Sequence, residues 1–153
     1  MKIDDEIKAV FKSPQQKAVV NVRFTSNFLS NYQNSFMARF DISMPQFNIL
    51  RILRGAKEAL SVHTVKGRMI EKSPNTTRLM DKLIDKGLID RIRCEEDRRV
   101  VYVSITEKGL ELLAQIDVDF EKTSLFPQSL TDEEANTLSD LLDKIRSEFE
   151  EKE

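Results

Sequence analysis

The chain has 153 residues, 40% hydrophobic and 33% charged, with a formal net charge of −2. That composition suits an ordinary folded domain and excludes disordered, fibrous and disulfide-stapled classes. The single cysteine, Cys94, permits no internal disulfide, and no apolar run reaches signal-peptide or membrane-spanning length, so a cytoplasmic chain with no membrane partner is expected. The charge is uneven: +4 through residue 60, +3 over residues 61–110 and −9 from residue 111 onward. An acidic end masks a mildly basic front, and a polyanion is not expected at that end.

Glycine and proline each occur only four times, which predicts long helices punctuated at few places. Ser13-Pro14-Gln15-Gln16 predicts a helix start, with Ser13 as N-cap, Pro14 in the first turn and Gln16 completing a capping box. Val19, Val22, Leu29, Tyr32, Phe36 and Phe40 then recur at helical spacing, and Val20, Phe24 and Phe28 add a second apolar stripe. A helix apolar on two sides packs against more than one neighbour. Ser43-Met44-Pro45-Gln46 repeats the capping logic before Phe47, Leu50 and Leu53, with Gly55 expected to close that helix. Residues 62–69 read as a short helix weakened by Gly67. Ser73-Pro74 is expected to open another, with Thr76, Leu79, Met80 and Leu83 inward and Gly87 at its end. Residues 88–94 and 100–105 alternate and are β-branched, so they predict a hairpin. Thr106 is expected to cap a helix carrying Leu110, Leu113, Ile116 and Phe120, which Leu125-Phe126-Pro127 breaks. Leu130 is expected to staple the last helix, Thr131 and Glu134 to form its capping box, and Leu138, Leu141, Leu142, Ile145 and Phe149 to line one stripe.

Short helices followed by a two-stranded hairpin predict a mainly α, winged helix-turn-helix fold. A major groove about 12 Å wide accepts one helix, a preceding helix braces it, and the hairpin reaches the neighbouring backbone or minor groove. The helix from Ser73 suits the reading position, since Asn75, Thr77, Arg78, Asp81 and Lys82 lie opposite its apolar side. Asn pairs bidentately with adenine, Arg with guanine, and a Thr methyl touches a thymine methyl. The candidate DNA contacts are therefore Ser73, Asn75, Thr76, Thr77, Arg78 and Lys82 on the helix and Arg93, Arg98 and Arg99 on the wing. Asp97 is expected to stiffen the wing by a bidentate pair with a neighbouring arginine. A plain capped surface helix and a solvated turn are the ordinary alternatives.

Residues 73–83, Lys86-Gly87-Leu88-Ile89, Arg91, and Asp97-Arg98-Arg99 followed by Val101, Val103, Ile105, Thr106 and Gly109 together resemble the core of the MarR (multiple antibiotic resistance regulator) family. Residues 42–47 and 50–53 are similar to its second helix, whereas Val65-Lys66 stands where the family has a Leu-Ala pair. The resemblance implies one domain over residues 1–153, with dimerisation helices at 13–40 and 107–150 flanking a DNA-binding lobe at 43–106. It further implies a homodimer on a pseudo-palindromic operator, a transcription regulator acting as a repressor, and release by a small aromatic or amphipathic ligand. The two-striped first helix and the apolar last helix point independently to a dimer, because they carry more apolar surface than one winged lobe can cover.

Other residues carry weaker signals. His63, the only histidine, lacks the partners a zinc site needs. Cys94, flanked by Arg93, is either reactive or an inert thiol. Phe24, Phe28, Tyr32, Phe36 and Phe47 either line a ligand pocket or fill core and dimer contacts. No nucleophile motif, phosphate loop or metal spacing is present, so neither an enzyme nor a cofactor is expected. The competing class is a winged-helix protein-interaction module without specific DNA binding.

Overall fold

The computed structural model describes residues 2–72, 75–93, 100–123 and 129–150, with Arg93 and Thr123 described by backbone alone. The chain divides into two units, residues 1–116 and 117–153.

The first unit opens with a five-residue helix, α1 (Ile3–Ile7), which the acidic sequence there did not announce. Ile3 is buried, and Lys17 Nζ donates to Asp4, holding that carboxyl below its ordinary range. The long helix α2 (Pro14–Met37) starts as expected, with Ser13 Oγ accepting from the Gln16 N–H at 3.1 Å. The expected return bond is different, because Gln16 Oε1 accepts from the Lys12 N–H at 2.7 Å, one residue before the cap. α2 ends at Met37, short of Phe40, and residues 38–40 tighten into a 3₁₀ turn that Asp41 closes at φ 56°. The full capping box forms at α3 (Met44–Ala56): Ser43 N–H donates to Gln46 Oε1 at 3.0 Å and Gln46 N–H to Ser43 Oγ at 3.4 Å. Gly55 lies inside α3; the left-handed closing residue is Lys57, at φ 58°. The Lys57 N–H donates to Leu53 O at 3.3 Å, so the helix closes on a lysine rather than on the glycine two residues earlier.

A two-residue strand, β1 (Leu60–Ser61), leads into α4 (Val62–Arg68), capped by Ser61 Oγ accepting from the Thr64 N–H at 3.0 Å. Val65 is fully buried, so the departure at Val65-Lys66 and the glycine at 67 are compatible with a packed helix. After α5 (Thr76–Asp85) come β2 (Ile89–Arg93) and β3 (Val101–Ile105), the expected hairpin. The sheet order is β1-β3-β2, all antiparallel, with Leu60 opposite Val103, Ile89 opposite Ile105 and Arg91 opposite Val103. Met37, Ile49, Leu50, Leu53, Val65, Met80, Leu83, Ile89, Val103, Leu113 and Ile116 form the core, each 1% exposed or less. Burying a side chain of this kind contributes about 1.5–3 kcal/mol. The last helix to start in this unit is α6 (Glu107–Thr123).

The second unit contains α7 (Asp132–Glu150). Its capping box forms as expected: Thr131 N–H donates to Glu134 Oε2 at 2.8 Å and Glu134 N–H to Thr131 Oγ1 at 3.3 Å. The bond from the Thr131 backbone N–H, and after it the one its hydroxyl donates to Glu134 Oε2 at 3.1 Å, hold the Glu134 carboxyl below its ordinary range. No described residue of α7 is buried, and Leu138, Leu141 and Phe149 on its apolar stripe are exposed. Leu130, expected to staple this helix, is also exposed. The expected break at residues 125–127 lies outside the described residues.

Candidate nucleic-acid interface

The two faces of α5 divide cleanly. Thr76, Met80 and Leu83 are buried at 1% exposure or less, and α5 packs by them against α3 and β2. Asn75, Thr77, Arg78 and Lys82 are exposed. The helix begins at Thr76 with Asn75 in the N-cap position, two residues later than expected; Ser73 lies outside the described residues. Thr76, expected both on the inward side and among the DNA contacts, is inward only. A side chain this buried belongs to the packed face and does not present its methyl to a groove.

The end of α5 is a Schellman turn. Gly87 sits at φ 70°, the Leu88 N–H donates to Leu83 O at 2.9 Å, and the Gly87 N–H donates to Ile84 O at 2.8 Å. Glycine takes this left-handed backbone without a Cβ penalty. The same turn is tied to the start of α6. Thr106 Oγ1 donates to Gly87 O at 2.8 Å and accepts from the Gly109 N–H at 3.1 Å, while the Thr106 N–H donates to Leu88 O at 3.1 Å. Lys108 Nζ donates to Lys86 O at 2.8 Å, and Lys86 Nζ pairs with Asp41 Oδ2 at 2.6 Å. A Cβ on Gly109 would lie 2.4 Å from Leu88 O, so the approach of α6 to this turn requires glycine.

Of the wing, β2 and β3 are described; Cys94, Asp97, Arg98 and Arg99 lie outside the described residues, as does the side chain of Arg93. A different acid–arginine pair is present: Arg91 Nη2 of β2 donates to Asp81 Oδ1 of α5. The sequence places Asp81 opposite the apolar side of α5 and gives it no partner. Its partner lies ten residues on in another element, beyond the reach of any helical spacing rule. His63 is exposed near the start of α4.

The five candidate pocket aromatics are dispersed. Phe36 and Phe47 are buried, Phe28 and Tyr32 are about half exposed, and Phe24 is intermediate. None lines the cavity of about 390 Å³ that opens among Phe40, Asp41, Lys86, Leu88, Lys108 and Glu111. Phe40 ends the same aromatic series and does line it; its ring centroid lies 5.6 Å from that of Phe36. Among the described residues, no group of three His, Cys, Asp or Glu is placed to hold a metal ion, and no helix is long and apolar enough to cross a membrane.

Residues 42–101 match the model of the MarR family. The chain is 33% identical over 110 residues to the uncharacterized HTH-type transcriptional regulator YpoP of Bacillus subtilis, spanning 69% of this chain and 74% of that one. It is 36% identical over 74 residues to YfiV, another such regulator of the same organism, a match spanning 48% of this chain and only 46% of that relative. Among solved structures it is similar to a mutant of MarR from E. coli complexed with operator DNA: TM-score 0.64, 26% identity, 95% of this chain and 99% of the other.

Proposed function

Because the chain belongs to the MarR family of transcription regulators, we propose that it binds duplex DNA sequence-specifically as a homodimer. In this reading α5 enters the major groove, with Asn75, Thr77 and Arg78 toward base edges and Lys82 toward phosphate. The wing residues Arg93, Arg98 and Arg99 reach the adjacent minor groove or backbone, braced by Asp97. The observation that carries this is the split of α5 into a buried Thr76-Met80-Leu83 side and an exposed polar side with two cations. The E. coli MarR mutant, similar over almost the whole chain, binds operator DNA, and that supports the same role here.

The dimer is supported by apolar side chains left exposed on two helices: Val19, Val22, Phe28 and Tyr32 on α2, and Leu138, Leu141 and Phe149 on α7. A second copy covering them would give a two-fold-symmetric reader of a pseudo-palindromic operator. We read the protein as a repressor, released when a small aromatic or amphipathic ligand occupies the cavity beside Phe40 and the α5 turn.

The experiment is selection of bound DNA from a random duplex library, followed by a salt titration on the selected site. The expected result is a two-fold-symmetric sequence with half-sites about 10 bp apart. Its affinity should fall with salt by about 0.9 log units per contacted phosphate per log unit of salt. Arg98→Ala and Arg99→Ala are expected to weaken binding evenly across sequences. Selection of no duplex by ligand-free protein would move the protein-interaction module to first place.

A further inference from the structure

Arg91 is a cation on the wing strand β2. On β2, side chains alternate, so Arg91 falls on the same side of the strand as Ile89, which is fully buried in the core that α5 covers. Where that apolar face reaches the rim of α5, the strand presents a guanidinium and the helix presents Asp81, and the two form an ion pair. Asp81 lies three residues after Arg78 and one before Lys82, so it stands between the exposed cations of the reading face and the wing strand. Both members remain partly exposed, at 39% for Arg91 and 50% for Asp81. Pairs this open to water add little to fold stability. Their effect lies in what they do to charge and direction at the edge of the interface.

A lone arginine at that edge would be a strong phosphate ligand, and phosphate contacts are indifferent to sequence. Asp81 occupies the guanidinium and carries a negative charge of its own beside the groove. We propose that Asp81 and Arg91 are a specificity-setting positioning pair. The pair ties the wing strand to the reading helix and keeps Arg91 off the DNA backbone, so sequence-independent attraction is held down while the helix-to-wing spacing is fixed. The inference rests on the DNA-binding reading and adds to it the residues that set the ratio of specific to random binding.

The test uses the full-length protein, its selected duplex and a random duplex of equal length, each titrated over a range of salt. Asp81→Asn is expected to release Arg91 to phosphate. Binding to random DNA should then steepen by about 0.9 log units per log unit of salt and tighten about fivefold at physiological salt, while the specific-to-random ratio falls. Arg91→Gln should leave the salt slope unchanged, since no phosphate contact is lost, yet weaken binding to the selected site. The exchanged double variant Asp81→Arg/Arg91→Asp should recover part of the lost ratio, which separates pairing from misfolding. If Arg91→Gln lowers the salt slope by about one unit and weakens both duplexes equally, Arg91 is a phosphate contact and the inference is overturned. Unchanged ratios in both single variants overturn it as well. Wild-type protein that binds neither duplex overturns the DNA-binding reading itself, and this inference with it.

Discussion

Arg78 and Lys82 lie one helical turn apart on the exposed side of α5, yet they are expected to do different work. A bidentate arginine–guanine contact is worth about 1–3 kcal/mol of discrimination. Arg78→Ala should therefore lower affinity for the selected site by about that amount and leave random-duplex binding little changed, as read in a shift assay. Lys82→Ala should instead weaken both alike and reduce the salt slope by about one unit. An Arg78→Ala variant with undiminished discrimination removes that residue from base contact. Gly109 shows magnitudes competing at one position. In a helix interior, alanine is ordinarily favoured over glycine by about 1 kcal/mol. Here its Cβ would meet Leu88 O at 2.4 Å and Ile105 Cγ1 at 2.7 Å. The first of these is backbone and cannot swing aside, so overpacking of about 1–3 kcal/mol should win. Gly109→Ala is expected to lower the melting temperature; an unchanged or raised Tm would mean that the start of α6 yields.

At the scale of elements, the capping motifs were the most readable signals because they are local. Ser43 with Gln46 and Thr131 with Glu134 form the bonds their spacing requires. At Ser13 the serine does its part, while Gln16 bonds Lys12 instead. Spacing gives a long side chain its reach and leaves its choice among nearby amides open. The hairpin and Gly87 were legible for the same local reasons. β1 was not: two residues cannot display an alternation, and Leu60–Ser61 becomes a strand only because Val103 and Tyr102 lie across from it. The Asp81–Arg91 pair was illegible too, since it depends on where a neighbouring element sits, whereas the inward side of α5, Thr76 included, followed from helical spacing. The α7 cap also carries a pH prediction. The hydrogen-bonded form of Glu134 is the anion, and its carboxyl is held low. The stabilisation is therefore fully present above the ordinary carboxylate range and is lost as pH falls through the lowered value. In far-UV circular dichroism, wild type should lose helix on acid titration in a component that Glu134→Gln lacks, because the amide oxygen also accepts and does not titrate. Superimposable acid titrations would remove Glu134 from control of the cap.

At the scale of the whole molecule, the −9 charge beyond residue 110 and the exposed apolar stripe of α7 belong together. An acidic helix is poorly placed for a polyanion and well suited to a protein contact. Leu141→Glu should yield a monomer in light scattering at micromolar concentration. It should also lower affinity for a two-half-site duplex by on the order of 10²-fold, since the two lobes no longer bind as one unit. A dimeric Leu141→Glu protein would place the interface elsewhere. The striping of the first and last helices pointed to a dimer through them, and the fold adds which apolar residues of those helices are left in water.

The bonds joining residues 86–88 to residues 106–109 have a kinetic consequence. The amides of Thr106 and Gly109 donate to Leu88 O and Thr106 Oγ1, and the Thr106 hydroxyl and Lys108 Nζ reach back to Gly87 O and Lys86 O. Both amides sit at one junction, and an opening that separates residues 86–88 from residue 106 exposes it as a unit. Their deuterium uptake should therefore follow a single opening rate, separate from that of the α5 reading face. A ligand seated in the adjoining cavity should slow both amides together, and that common protection would register occupancy without any DNA in the sample.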